Sequence, residues 1–257
     1  MKESIEQNSN LEVPGKRPLI IGILGCLGSG KTTLSKELGA RWGIEPLEEK
    51  FPENPFLAKF YEDPSEYSFK SQVFFLTSKV KQLRSMDTSK VSIIDPALDM
   101  DFIYAKTHHK MGWMSDGEWN LYQELFGAYI SREDLTYPDM HIVVSASSED
   151  LKKRIKKRNR PYEIWISKEY PEYLDKLSES VDEWREKNKN HGFIFSADTS
   201  VKGYTGTPQG ISDRIESHIC LRFGGNSTYE VPKIKPPELS VSHDITPGLG
   251  AAARLRR

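Results

Sequence analysis

The chain alternates short, unbroken apolar runs with longer stretches in which apolar residues return every three or four positions. Pro18-Leu19-Ile20-Ile21-Gly22-Ile23-Leu24, Val91-Ser92-Ile93-Ile94-Asp95, His141-Ile142-Val143-Val144-Ser145 and Gly192-Phe193-Ile194-Phe195-Ser196 read as buried strands. A shorter fifth strand is predicted at Gly43-Ile44-Glu45-Pro46-Leu47. Between them, helical spacing covers Thr33 to Trp42, Phe69 to Leu83, Trp119 to Ser131, Ser148 to Arg160 and Tyr170 to Lys187. In the last of these, Tyr170, Tyr173, Leu174, Leu177, Val181 and Trp184 form one apolar stripe. Strand and helix in alternation predict an α/β fold, a five-stranded parallel sheet with helices on both faces. Residues 1–16 are polar and predicted loose, residues 17–223 form one domain, and 224–257, rich in Pro, Gly and Ser, are predicted disordered.

Composition narrows the picture only slightly. The 257 residues are 37% hydrophobic and 28% charged, with a formal charge of −1. That balance gives no general pull toward nucleic acid or a membrane surface, and no apolar run approaches the ~20 residues of a membrane helix. Two cysteines, Cys26 and Cys220, make neither a metal set nor a disulfide framework, so a reducing cytoplasm is the expected setting. The charge is unevenly placed: Lys152, Lys153, Arg154, Lys156, Lys157, Arg158 and Arg160 crowd one segment. A solvated helix face is the usual meaning of such a run; here a phosphate partner fits better, because of the loop that follows the first strand.

That loop is Gly25-Cys26-Leu27-Gly28-Ser29-Gly30-Lys31-Thr32, which fits GxxxxGK[ST] and stands between a predicted strand and a predicted helix. Glycines let backbone N–H groups turn inward on phosphate oxygens, through to Thr33 at the helix start. Lys31 supplies a point charge for the β/γ-phosphates, and the Thr32 hydroxyl is a candidate Mg²⁺ ligand. A nucleoside triphosphate, ATP or another, is the expected ligand.

Four more segments follow in order. Glu49-Lys50-Phe51-Pro52-Glu53-Asn54-Pro55-Phe56-Leu57 precedes Phe60-Tyr61-Glu62-Asp63. Then come Tyr67-Ser68-Phe69-Lys70-Ser71-Gln72-Val73-Phe74-Phe75-Leu76, Asp95 with Asp101 beyond it, and Arg154-Ile155-Lys156-Lys157-Arg158-Asn159-Arg160-Pro161-Tyr162-Glu163. The series resembles the deoxyribonucleoside kinase family over residues 18 to 200. The resemblance implies a P-loop kinase fold with an Arg-rich lid, and transfer of a γ-phosphoryl group to the 5′-hydroxyl of a deoxynucleoside. It implies Glu49 as the base for the 5′-hydroxyl proton, Tyr61 and Glu163 on the sugar 3′-hydroxyl, and Gln72 on the base edge. Asp95 matches the carboxylate near Mg²⁺, and Arg154, Arg158 and Arg160 match the lid arginines. Lys79 and Asp101 match a cation and an acid that face the base in members acting on purines or cytosine. A homodimer is also implied, with Val73 to Leu76 and Leu121 to Phe126 as apolar surface for it.

Taken singly, several of these residues have plainer readings. Glu49 sits among Glu45, Glu48 and Glu53 and could be a surface acid, Tyr61 and Gln72 could be packing residues, and the His108-His109 pair reads as a solvated loop. Two departures stand out. Where the family follows the strand-end acid with Arg, this chain has Asp95-Pro96-Ala97, and Lys79 replaces an Arg. Lys106 and Lys50 are candidates to supply the missing charge. Two other readings stay open on sequence alone: a family member with weakened turnover that binds nucleotide as an assembly subunit, and a kinase for a nucleoside monophosphate.

Overall fold

The computed structural model describes residues 16–49, 51–132, 135–190, 193–224 and 229–232. Its main sheet has five parallel strands in the order β3-β4-β2-β5-β6: β2 (Ile20–Gly25), β3 (Leu47–Glu48), β4 (Ser92–Asp95), β5 (Met140–Ser145) and β6 (Phe193–Asp198). β2 is the middle strand, and all six of its residues are buried, as a strand covered on both faces must be. Alternation along it sorts the core. Ile21 and Ile23 face the layer of α1 (Lys31–Trp42) and α9 (Pro208–Phe223), while Leu24 faces α4 (Leu98–Lys110), α6 (Ser148–Arg158) and α8 (Tyr173–Asn188). A third cluster joins α3 (Pro64–Arg84), α4 and α5 (Asp116–Ile130) around Leu76, Val80, Leu98 and Tyr122. Two shorter helices complete the set among the described residues, α2 (Leu57–Glu62) and α7 (Pro161–Glu169).

Local signals fix where the helices that carry the site begin and end. Asp63 caps α3 by accepting from the Glu66 N–H, with Pro64 in the first turn. Ser115 and Glu118 close a capping box on α5. Ser147 caps α6, and Asn159 ends it in the left-handed conformation at φ 55°.

The structure amends the sequence expectation in three places. The fifth strand is only Leu47–Glu48, because Pro46 has no N–H for the ladder ahead of it. His108 and His109 lie on α4 and not in a solvated loop. His108 is buried, stacked on Phe60 at 4.8 Å, with Ser68 Oγ 2.8 Å from its Nδ1. Residues 229–232, assigned to the tail, are ordered against the domain: β7 (Tyr229–Glu230) pairs in parallel with β1 (Arg17–Pro18), and Leu19 N–H donates to Glu230 O at 2.9 Å. Residues 225–228 and 233–257 of the predicted tail, and residues 1–15, fall outside the described residues. No described helix is long and apolar enough to cross a membrane.

Candidate active site

The chemistry gathers at the carboxyl ends of the strands, where parallel α/β sheets open their crevice. β2 runs into the phosphate loop, β3 delivers Glu49, β4 ends on Asp95, and the turn after β6 brings Thr199. Gly25 stands at φ +148°, and a Cβ there would lie 2.2 Å from the Val144 carbonyl oxygen, so the loop can turn only with glycine. Gly30 caps α1 without a side-chain hydrogen bond, and the first turn of α1 holds no acidic residue. The leading N–H groups of α1 are thus left for an anion.

Lys31 Nζ donates to the loop's own carbonyls, Gly25 O at 2.7 Å and Cys26 O at 3.0 Å. Burial pushes its ammonium below the ordinary lysine range, and the Asp95 carboxylate works against that shift. Arg154, from α6, clamps the loop from the other side. Its Nη1 reaches Thr199 Oγ1 at 2.7 Å and Ser29 O at 3.2 Å, and its Nη2 reaches Thr199 O at 2.9 Å. Ser35 Oγ donates to Asp95 Oδ2 at 2.8 Å, while Asp95 Oδ1 is buried without a hydrogen-bond partner. With the exposed Thr32 hydroxyl at the start of α1, one carboxylate oxygen and one hydroxyl fit a Mg²⁺ ion, which takes few protein ligands and keeps waters and phosphate oxygens. No group of three or more His, Cys, Asp and Glu side chains that could hold a metal occurs among the described residues.

Beyond the loop, α3 and α4 build a second compartment. Lys79 is 1% exposed on its side chain, and its Nζ stands 3.9 Å from Glu49 Oε1 without any hydrogen bond. Gln72 Oε1 and Asp101 Oδ2 are likewise buried without partners. Burial lifts the Glu49 carboxyl above the ordinary glutamate range, with Lys79 and then Lys31 pulling it back. Asp101 is pushed well above the carboxylate range, first by burial and then by the Glu49 carboxylate. Asn54 ties the Glu49 segment to α3, its Nδ2 donating to Ser71 Oγ at 3.0 Å and its Oδ1 accepting from Phe56 N–H at 2.9 Å.

Arg158 and Arg160 are brought together by a carboxylate. Glu163 is 1% exposed and accepts from Arg158 Nε at 2.8 Å and Arg160 Nη1 at 3.2 Å, with Arg158 Nη2 in ion-pair contact at 2.6 Å. Tyr61 lies half-buried on α2, edge-on to Phe60 at 5.0 Å. Lys106 is not available to replace the charge missing at Pro96, since its Nζ is held by Glu183 of α8; Lys50 lies outside the described residues. Arg158 is one of the charges that act on Lys31. Sequence reasoning missed Tyr104. It stands one turn beyond Asp101 on α4, and after burial the groups that act most on its hydroxyl are Cys26, Glu49, Tyr61 and, last, Glu163. Its three-residue spacing from Asp101 was the readable signal.

A strand–loop–helix phosphate cradle beside a second, polar compartment defines a P-loop phosphotransferase with an organic acceptor. The sequence model of the deoxynucleoside kinase family matches residues 21–210, and the chain belongs to that family. A deoxyadenosine/deoxycytidine kinase of Bacillus subtilis is 33% identical over 157 residues, 60% of this chain and 72% of that relative. A deoxyguanosine kinase of the same organism is 32% identical over 60% of this chain and 73% of its own length. Among solved structures, a deoxyadenosine kinase from M. mycoides with bound dCTP superposes with a TM-score of 0.67 at 28% identity, covering 77% of this chain and all (100%) of that one. The chain is accordingly an enzyme that phosphorylates a nucleoside, drawing on a nucleotide donor.

Proposed function

We propose that the enzyme moves the γ-phosphoryl group of ATP to the 5′-hydroxyl of deoxyadenosine, deoxyguanosine or deoxycytidine in preference to thymidine. The observation that carries this reading is the set of buried, unpartnered atoms in the second compartment. Gln72 Oε1, Lys79 Nζ and Asp101 Oδ2 are desolvated donors and acceptors that a base edge with amino and oxo groups can satisfy. A thymine methyl brings nothing to them, and a polar site rejects a partner that leaves its groups unpaired. The relatives named for deoxyadenosine, deoxycytidine and deoxyguanosine point the same way.

Roles follow from position. Glu49, beside Lys79 and with its carboxyl raised toward neutral pH, takes the 5′-hydroxyl proton. Tyr61 and Glu163 hold the 3′-hydroxyl. Gly25 to Thr33 cradle the triphosphate, and Lys31 exchanges its two loop carbonyls for the β- and γ-phosphate oxygens. Arg154, Arg158 and Arg160 neutralise charge that spreads over the transferred group, Arg158 taking the part that Pro96 cannot play. Thr32 and Asp95 hold Mg²⁺, which supplies further neutralisation at the phosphates.

The cytoplasm suits a loop that carries Cys26 as a free thiol. A homodimer is part of the proposal, with one change in its surface: Leu76, Tyr122 and Phe126 belong to the protomer core, which leaves Phe74 and Phe75, half-buried, and Leu121, 47% exposed, for the contact. The test is competition among the four deoxynucleosides at equal concentration with ATP and Mg²⁺. Thymidine is expected last, and thymidine first would overturn the assignment of Lys79 and Asp101.

A further inference from the structure

One buried polar atom near this site has no role in the chemistry above. Tyr122, on α5, is 0% exposed, and its hydroxyl has no hydrogen-bond partner. The ring is fixed in an aromatic series, parallel to Trp119 at 6.2 Å and to Phe126 at 6.5 Å. Packing alone does not account for the hydroxyl. Phenylalanine would fill the same space without leaving a desolvated O–H, so a tyrosine here is costly unless its oxygen is used.

The place of the hydroxyl indicates its use. Phe102 packs on the two rings that flank Tyr122, on Trp119 at 5.3 Å and on Phe126 at 4.9 Å. Its chain neighbour is Asp101, the acid of the base compartment, whose Oδ2 is also buried without a partner. After burial, the Asp101 carboxylate and then Glu49 are the groups that act on the Tyr122 phenol. A donor without an acceptor on α5 and an acceptor without a donor on α4 are thus both buried, on segments that pack together through Phe102.

Resting on the base reading proposed above, we infer that Tyr122 is a positioning residue for base selection. Its O–H donates to Asp101 Oδ2, directly or through one water, when a nucleoside engages the other carboxylate oxygen. The bond holds the carboxylate in the rotamer that meets the base edge, and Tyr122 itself touches no substrate.

The full-length Tyr122→Phe, Asp101→Asn and double variants test this. In Tyr122→Phe we expect KM for deoxyadenosine to rise about tenfold, kcat to stay within about twofold and KM for ATP to hold. The deoxyadenosine-to-thymidine ratio of kcat/KM should fall by about tenfold, while the melting temperature holds or rises because an unpaired hydroxyl has gone. In the Asp101→Asn background, Tyr122→Phe should add nothing, since it acts through that side chain. Unchanged kinetics with an equal or higher melting temperature would make Tyr122 a packing residue and overturn the inference. A selectivity loss of the same size in both backgrounds would overturn it as well. If Asp101→Asn alone leaves the base ratio unchanged, the base reading beneath the inference has failed, and the inference falls with it.

Discussion

Arg158 and Glu163 meet at a single carboxylate oxygen, through a hydrogen bond from Nε at 2.8 Å and an ion-pair contact from Nη2 at 2.6 Å, while Arg160 occupies the other oxygen. The carboxylate assigned to the sugar thus also orients the cations assigned to the phosphates. Donor and acceptor halves of the site are joined at this residue. Glu163→Gln keeps the shape and removes the charge. Wild type should disfavour a 2′,3′-dideoxynucleoside against its deoxynucleoside by tenfold or more, because the charge-assisted hydrogen bond from the 3′-hydroxyl is then lost. In Glu163→Gln that preference should collapse to about twofold. An unchanged ratio in steady-state kinetics would remove Glu163 from the sugar site.

Glu49 carries a pH prediction. Burial raises its carboxyl above the ordinary range, and the nearby Lys79 ammonium offsets part of the shift. The base works ionised, so kcat/KM should fall on the acid side along a limb placed above the ordinary carboxylate value of about 4.3. Lys79→Met removes the offset and should move the limb to higher pH. Glu49→Gln should lower kcat by about a hundredfold or more and erase the limb. A limb at or below the ordinary value, or one that ignores Lys79→Met, would contradict the role.

His108 should make the fold acid-sensitive. Burial holds its pKa down to about 3, against 6.5 for a free imidazole. The folded-state value is depressed, so the unfolded chain gains a proton first as pH falls. The stabilisation is complete above pH 6.5 and drains away below it, at about 1.4 kcal/mol per pH unit. Between pH 7 and pH 5 wild type should therefore lose about 2 kcal/mol more than His108→Gln in urea unfolding. Parallel losses in the two proteins would show that the imidazole is not held neutral.

Tyr229 should matter to stability. Its ring lies 5.1 Å from that of Phe223, the Arg17 guanidinium sits 4.4 Å above it, and the following residue pairs with Leu19. Tyr229→Ala should cost about 2 kcal/mol, and truncation after Gly224 at least as much. Melting curves identical to wild type would mean that the β1–β7 pair adds nothing to the domain.

The parts of the fold that the sequence disclosed are those whose cause is local. Short apolar runs rich in Ile and Val mark β2, β4 and β5, and the glycines and Lys31 mark the cradle. α4 stayed hidden because Asp99, Asp101 and His108 are buried on it, and polar residues at core positions erase the apolar stripe. Asp99 is buried because Trp184, Tyr137 and His141 all bond to it, partners drawn from distant parts of the chain. α9 does carry Ile211, Ile215, Ile219 and Phe223 at four-residue steps, but Gly206, Pro208 and Gly210 obscure its start. The two-residue β7 has no period to read. In the site, residue types and order pointed to the resemblance, whereas the bonds of Arg158 and Arg160 to Glu163, the role of Ser35 beneath Asp95 and the stranded hydroxyl of Tyr122 depend on tertiary contact.

The most direct test of the account is the identity of the product. Purified full-length protein with ATP, Mg²⁺ and deoxyadenosine should form deoxyadenosine 5′-monophosphate and ADP in equal amounts by mass spectrometry. Lys31→Ala, folded to the same melting temperature, should fall to background. ADP released without a nucleoside monophosphate, a monophosphate acceptor used in place of the nucleoside, or turnover kept by Lys31→Ala would contradict it.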